Sequence, residues 1–173
     1  MKEKNKIYLI GPLGAGKSTV GRGLARSLRY QYFDTDRVIE ERLGVDLSWI
    51  FDLEGEEGFR KRELALLKEL SEKENIVVAT GGGTILIPEA RKLLADTGMV
   101  IYLRTSLSKQ IKRTQRNQYN RPLLRGTNLK ERLLELQEQR EPLYQEIADK
   151  TFFTSDGKIA IVVKQIVKFI KSL

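Results

Sequence analysis

The stretch Ile7-Tyr8-Leu9-Ile10-Gly11-Pro12-Leu13-Gly14-Ala15-Gly16-Lys17-Ser18-Thr19 decides how the rest of the chain is read. Its first four residues form a short apolar run that predicts a buried strand ending at Gly11, and Val20, Leu24 and Leu28 then recur at helical spacing between Lys17 and Arg29. Strand, glycine-rich turn and helix therefore frame Gly11 to Ser18, which matches the pattern GxxxxGK[ST]. Backbone N–H groups of such a turn and of the exposed helix terminus surround phosphate oxygens, and small residues permit close approach. Lys17 would reach the β and γ phosphates and Ser18 would give an oxygen to magnesium. The plainer readings are a turn cap at Gly11, a solvent-facing Lys17 and a helix-terminal hydrogen bond at Ser18. Their coincidence at this spacing favours phosphate.

Outward from that stretch the chain alternates strands and helices. Tyr30 to Phe33 predicts a second strand and Val38 to Leu43 a helix closed near Gly44. Trp49 to Phe51 reads as a small helical connection. Phe59 to Glu72 reads as a longer amphipathic helix with Leu64, Leu67 and Leu70 as its buried stripe. Ile76 to Ala79 is the next strand, followed by Thr80-Gly81-Gly82-Gly83. A helix from Pro88 to Ala95, a strand from Met99 to Leu103 and a helix from Leu107 to Arg113 come next. Residues 114–127 lack periodicity and are basic; a mobile lid and an ordered polar surface loop are both consistent with that. Asn128 and Glu131 have capping-box spacing, and Leu129, Leu133 and Leu136 give the following helix an apolar face that Pro142 should end or kink. Lys150 to Phe153 and a final Ile/Val-rich helix complete a single three-layer α/β domain without linker or repeat.

Composition narrows the chemistry. The 173 residues are 40% hydrophobic and 31% charged, which suits a chain that buries a core of its own. Cysteine and histidine are both absent, so disulfides, thiolate metal sites, imidazole bases and His-based triads are excluded by inventory. Carboxylate, hydroxyl, ammonium, guanidinium and amide remain. The net charge is +8, and Arg104 to Arg140 holds ten Lys or Arg against three Glu, so the excess is local. Such a field attracts nucleotide phosphates, an acidic metabolite, nucleic acid or an anionic surface alike. The start MKEKNKIYLIG lacks the long apolar region of a secretory signal and no later run is long enough for a membrane span, so a soluble cytoplasmic protein is expected.

Asp34 and Asp36 stand just beyond the second predicted strand. One would organise the magnesium shell and the other receive a hydrogen bond from an acceptor hydroxyl; a turn plus helix cap is the plainer alternative. Gly81 to Gly83 makes room for a small acceptor or simply a flexible turn. Arg60, Arg121, Arg125 and Arg140 suit carboxylate or phosphate recognition through their guanidinium forks, although each alone reads as a solvated side chain.

Taken in order, GPLGAGKST at Gly11 to Thr19, FDTD at Phe33 to Asp36, FRKRE at Phe59 to Glu63, TGGG at Thr80 to Gly83, RPLL at Arg121 to Leu124 and REPLY at Arg140 to Tyr144 make the whole chain resemble the shikimate kinase family. The resemblance implies a three-layer P-loop kinase fold with a central parallel sheet of about five strands and helices on both faces. It implies phosphate transfer from ATP, with Mg2+, to the 3-hydroxyl of shikimate, giving shikimate 3-phosphate and ADP. It assigns catalytic roles to Lys17, Asp36 and Arg121, and ATP binding to Gly11, Gly14, Ala15, Gly16, Lys17, Ser18, Thr19, Arg113 and Arg121. Ser18 and Asp34 are placed at the metal, and Asp36, Arg60, Gly82, Gly83 and Arg140 at the acceptor. Residues 34–62 become the acceptor-binding region and 114–127 the lid. A monomer without nucleic-acid or membrane partners is expected. Asp36 would orient the hydroxyl rather than serve as a strong base, because an ordinary carboxylate has a pKa of about 4. A kinase for gluconate or another polyol is the nearest alternative, and a basic nucleic-acid-binding module the more remote one.

Overall fold

The computed structural model describes residues 5–115, 128–154 and 158–173. The order of elements is β1 (Lys6–Ile10), α1 (Lys17–Leu28), β2 (Gln31–Asp34), α2 (Thr35–Leu43), α3 (Leu47–Ser71), β3 (Ile76–Ala79), a 3-10 turn (Thr84–Leu86), α4 (Pro88–Thr97), β4 (Met99–Arg104), α5 (Leu107–Thr114), α6 (Leu129–Ile147), β5 (Lys150–Phe153) and α7 (Ile159–Ser172). The five strands form one sheet in the order β2-β3-β1-β4-β5, and every pairing is parallel.

Central position explains the unbroken apolar runs of β1, β3 and β4, since a strand covered on both faces has no polar side to show. Alternate residues of β1 serve opposite layers: Tyr8 and Ile10 pack with Ile39, Phe59, Leu67 and Leu94, whereas Ile7 and Leu9 pack with Val20, Leu24, Val163 and Ile166. One face is thus covered mainly by α2, α3, α4 and α6, the other by α1 and α7. The crossover leaving β1 runs to the β2 side of the sheet and the one leaving neighbouring β4 runs to the β5 side, which opens a crevice beyond the strand ends, where open α/β sheets bind ligands.

Some local expectations need correction. The second strand is Gln31–Asp34 rather than Tyr30 to Phe33. Arg29 closes α1 in the left-handed region, at φ 60°, and Tyr30 N–H still donates to Ala25 O at 2.9 Å, so sheet pairing begins at Gln31. The next helix starts at Thr35, not Val38, because the Asp34 carboxylate caps it by accepting from Arg37 N–H. In α3 the stripe is Phe59, Leu66, Leu67 and Leu70, with Leu64 only partly buried. The two helical segments expected there meet at Gly55, whose φ of 70° and ψ of 177° break the helix. Pro142 does not end α6, which runs on to Ile147; burial of Arg140 and Tyr144 on either side of the proline holds the turn despite the missing donor. Asn128 caps α6 as its spacing indicates, accepting from Lys130 and Glu131 N–H. Thr114 is the last residue of α5 and fully buried. Among the described residues no helix is long and apolar enough to cross a membrane.

Candidate active site

Beyond the ends of β1 and β3 lies a cleft of about 970 Å³ that holds both groups of candidate residues. On one side is the loop from Gly11 to Gly16. Gly16 caps α1 in the left-handed region, at φ 90°, no side chain caps the helix, and its first turn carries no acidic residue. The positive end of α1 is therefore left facing the cleft, as a phosphate requires. Lys17 Nζ lies over the loop and donates to Gly11 O at 2.6 Å and Pro12 O at 2.9 Å.

Three successive carbonyls of this loop are bonded from outside. Gln110 Nε2 donates to Leu13 O at 2.8 Å, Arg113 Nη1 to Gly14 O at 2.8 Å and Thr154 Oγ1 to Ala15 O at 2.7 Å. In a trans peptide the N–H opposes the C=O of the same unit, so tying these carbonyls outward turns the following amides toward the loop's interior, where the Ala15 N–H donates to Pro12 O at 3.2 Å. Gln110 and Thr154 are buried and were not singled out from sequence. Arg113 also donates to Thr154 O at 3.2 Å, so its guanidinium links the loop to the end of β5.

Ser18 Oγ donates to Asp34 Oδ2 at 2.7 Å, joining the two residues expected at the metal. The Tyr32 hydroxyl approaches the same oxygen at 3.4 Å, and burial, aided by the Asp34 charge, pushes the Tyr32 pKa up to about 12. Asp34 thus serves as helix cap and as partner of Ser18 together. No cluster of three or more potential Asp, Glu, His or Cys ligands occurs among the described residues. An all-oxygen pair beside a phosphate loop nevertheless suits magnesium, which takes few protein ligands and completes its shell with phosphate oxygens and water.

Across the cleft, Asp36, Arg60, Gly82, Gly83 and Arg140 converge from four elements or turns. Gly82 touches both halves: a Cβ there would meet Leu13 Cδ2 at 3.6 Å and Arg140 Nη1 at 3.5 Å. Arg60 lies over the Phe59 ring, donating from Nη1 to Glu63 Oε1 at 3.0 Å and from Nη2 to Glu56 Oε1 at 3.2 Å. Asp36 Oδ1, Arg60 Nε and Arg140 Nε are buried with no hydrogen-bond partner among the described residues. Leaving such groups unpaired is costly, so a polar occupant is expected between them. Charges of both signs fit an occupant bearing hydroxyls and a carboxylate.

Burial is the main cause that pushes the Asp36 carboxyl up to about 7; the Glu63 and Asp34 charges add to it, and Lys17 and Arg60 oppose it. Burial raises Glu63 as well, against the pull of Arg60. It lowers Arg140 from the usual guanidinium value. The expectation that Asp36 has an ordinary carboxylate pKa is thus corrected by its surroundings. Glu63 is a residue the sequence reading passed over, fully buried beside Gly81 and Arg60. Its spacing of four from Phe59 and from Leu67 places it on the inward face, a signal available in the sequence. Arg121 and Arg125, and the lid segment beyond Gln115, lie outside the described residues.

The shikimate kinase profile matches residues 13–171. The chain belongs to the shikimate kinase family. A shikimate kinase of Legionella pneumophila (strain Corby) is 53% identical over 164 residues, which cover 95% of this chain and 93% of that one. A Vibrio parahaemolyticus shikimate kinase is 52% identical over 171 residues, covering 99% of both. Among solved structures, shikimate kinase from Acinetobacter baumannii in complex with shikimate superposes with a TM-score of 0.94 at 43% identity, covering 99% of this chain and 95% of that one. A gluconokinase from Sinorhizobium meliloti reaches a TM-score of 0.61 at 18% identity, over 99% of this chain and 94% of that one, a likeness of fold alone. The five-stranded parallel sheet with helices on both faces is thus the fold of shikimate kinases.

Proposed function

We propose that this chain transfers the γ phosphate of ATP to the 3-hydroxyl of shikimate, giving shikimate 3-phosphate and ADP. The observation that carries this reading is the convergence, in one cleft, of a phosphate-binding loop with buried polar atoms that lack a hydrogen-bond partner on side chains of opposite charge, Asp36 Oδ1 against Arg60 Nε and Arg140 Nε. When bound, the magnesium nucleotide supplies the transferable phosphoryl group together with an ion that neutralises its oxygens.

The residues divide the remaining work. Amides of Gly14, Ala15 and Gly16 with Lys17, Ser18 and Thr19 bind the phosphates; Lys17 exchanges its two loop carbonyls for phosphate oxygens. Ser18 and Asp34 hold the magnesium. Arg60 and Arg140 pair with the substrate carboxylate through their planar donors, and the N–H groups of Gly82 and Gly83 meet acceptor oxygens. Asp36 accepts a hydrogen bond from the 3-hydroxyl and orients it. As the new O–P bond forms and the bond to the ADP oxygen breaks, the hydroxyl proton passes to Asp36, whose raised pKa makes it a fitting acceptor at neutral pH. Arg113 borders the nucleotide end of the cleft and Arg121 adds positive charge at the transferred group. Residues 34–62 contain the Asp36 and Arg60 side of the acceptor site.

Positive charge is shared by the kinase and nucleic-acid readings, whereas the buried carboxylate and paired arginines favour a small acidic alcohol. An ADP-release assay offering shikimate, gluconate, nucleoside monophosphates and short RNA tests this directly. Shikimate should support turnover at least ~100-fold faster than the others, with phosphorus NMR placing the phosphate on the 3-oxygen; equal rates, or no shikimate turnover, would reject the assignment.

A further inference from the structure

Tyr144 ends the REPLY segment and is not among the groups assigned to the acceptor. Its ring is buried at 2% exposure and stacks on Tyr102, with centroids 5.0 Å apart and planes 19° apart. The Tyr102 hydroxyl is in turn hydrogen-bonded to Glu141, one turn of α6 earlier than Gln145, which also binds that carboxylate. Both rings are therefore held. The Tyr144 hydroxyl donates to Gly82 O at 2.7 Å, a buried bond across 62 residues of sequence, and burial raises its pKa, so the proton stays in place. It is also a close electrostatic neighbour of Arg140, one helical turn before it on α6.

The consequence lies on the other side of the peptide. Every peptide bond among the described residues is trans, so the Gly83 N–H points opposite to the Gly82 C=O. With the carbonyl turned toward Tyr144, that N–H faces away from it, and Gly82 and Gly83 line the cleft. Neighbouring amides of the turn are engaged: Thr80 N–H donates to Leu9 O, Gly81 N–H to Thr35 Oγ1 and Thr84 N–H to Gly81 O. Neither the Gly82 nor the Gly83 N–H donates to any group among the described residues. Glycines at this turn would otherwise rotate freely.

We infer that Tyr144 is a positioning residue for the acceptor: its hydroxyl fixes the Gly82–Gly83 peptide so that the Gly83 N–H is presented to a substrate oxygen, in register with Arg140 on the same helix. The inference rests on the acceptor reading above. It explains why a tyrosine rather than a phenylalanine stands beside Arg140 and Gly82, since a phenylalanine would leave the buried Gly82 carbonyl without this donor.

Tyr144→Phe keeps the ring and removes the hydroxyl's bond to Gly82 O along with its contact to Arg140, so exchange of the Gly83 amide separates the two. Calorimetric titration of full-length protein with shikimate should give a Kd about ten-fold higher than wild type, with the ATP KM unchanged within two-fold and kcat lowered less than the shikimate KM is raised. Tyr102→Phe, which loses a hydroxyl from the same stack but not the Gly82 bond, should bind shikimate as wild type does. Amide hydrogen exchange of the unmutated protein gives a measurement independent of any variant: the Gly83 N–H should exchange readily without ligand and become protected by shikimate. Wild-type affinity in Tyr144→Phe, equal losses in both variants, parallel losses of ATP and shikimate affinity, or a Gly83 amide indifferent to shikimate would overturn the inference. Failure of the wild type itself to bind shikimate would instead remove the acceptor reading beneath it.

Discussion

Asp36 is a side chain whose placement costs the fold stability as pH rises. Burial beside Glu63 raises its carboxyl to about 7, so the folded protein holds a proton there that an unfolded chain releases near pH 4. The stability this contributes is present in full below pH 4 and is lost as pH rises through 7, because the charged form is disfavoured in the fold. Asp36→Asn, neutral throughout, should therefore gain about 1–3 kcal/mol over wild type at pH 8 in ligand-free denaturant melts, and much less at pH 5. Its shikimate-dependent turnover should fall at least ~100-fold. A gain equal at both pH values would show that the buried charge is not its source. Gly83 carries a second residue-scale expectation. Its φ of −96° suits alanine, but a Cβ there would overlap the Arg60 guanidinium. Gly83→Ala should fold normally and raise the shikimate KM ten-fold or more; a wild-type KM would mean that Arg60 has no role in binding.

At the scale of elements, α3 is set by the break at Gly55. Its φ and ψ lie in a region almost confined to glycine, and a Cβ there would meet no neighbour within 4 Å, so the conformation rather than space requires glycine. Gly55→Ala should cost roughly 1–3 kcal/mol in chemical denaturation and weaken shikimate binding, since the break orients the helix that carries Phe59 and Arg60. Unchanged stability would contradict that strain. The same elements show what a sequence discloses. Strands β1, β3 and β4 are legible because continuous apolar runs mark burial on both faces, and α1 because Val20, Leu24 and Leu28 share one face. The phosphate loop is legible because its function fixes its residue spacing. Boundaries at Gln31 and Thr35 were not, since they depend on backbone bonds to Ala25 and on the Asp34 cap. Pro142 does not stop α6, because tertiary burial outweighs a local preference. Gln110, Tyr144 and Thr154 act through contacts distant in sequence, which no local pattern reveals, whereas Glu63 is marked only by its place on the inward face of α3.

For the molecule as a whole, sheet order brings the two halves of the site together. β1 delivers the phosphate loop, while its neighbour β3 delivers Gly82 and Gly83 and edge strand β2 delivers Asp34 and Asp36. Parallel pairing puts all three outlets at the same end. Helices α3 and α6 then lower Arg60 and Arg140 onto that end from the side layer, so the cationic part of the proposed acceptor site is built on the core rather than on a surface loop. Under the proposed function this arrangement aligns a phosphoryl group with an alcohol held by Asp36. A crystal structure of the protein with shikimate, magnesium, ADP and a planar metal fluoride in place of the transferring phosphoryl group would reveal that alignment or its absence. The expected result has the shikimate carboxylate on Arg60 and Arg140 and the 3-hydroxyl bonded to Asp36 and facing the fluoride in line with the ADP oxygen; shikimate bound elsewhere, or with its 3-hydroxyl turned from the fluoride, would rule out transfer by this geometry.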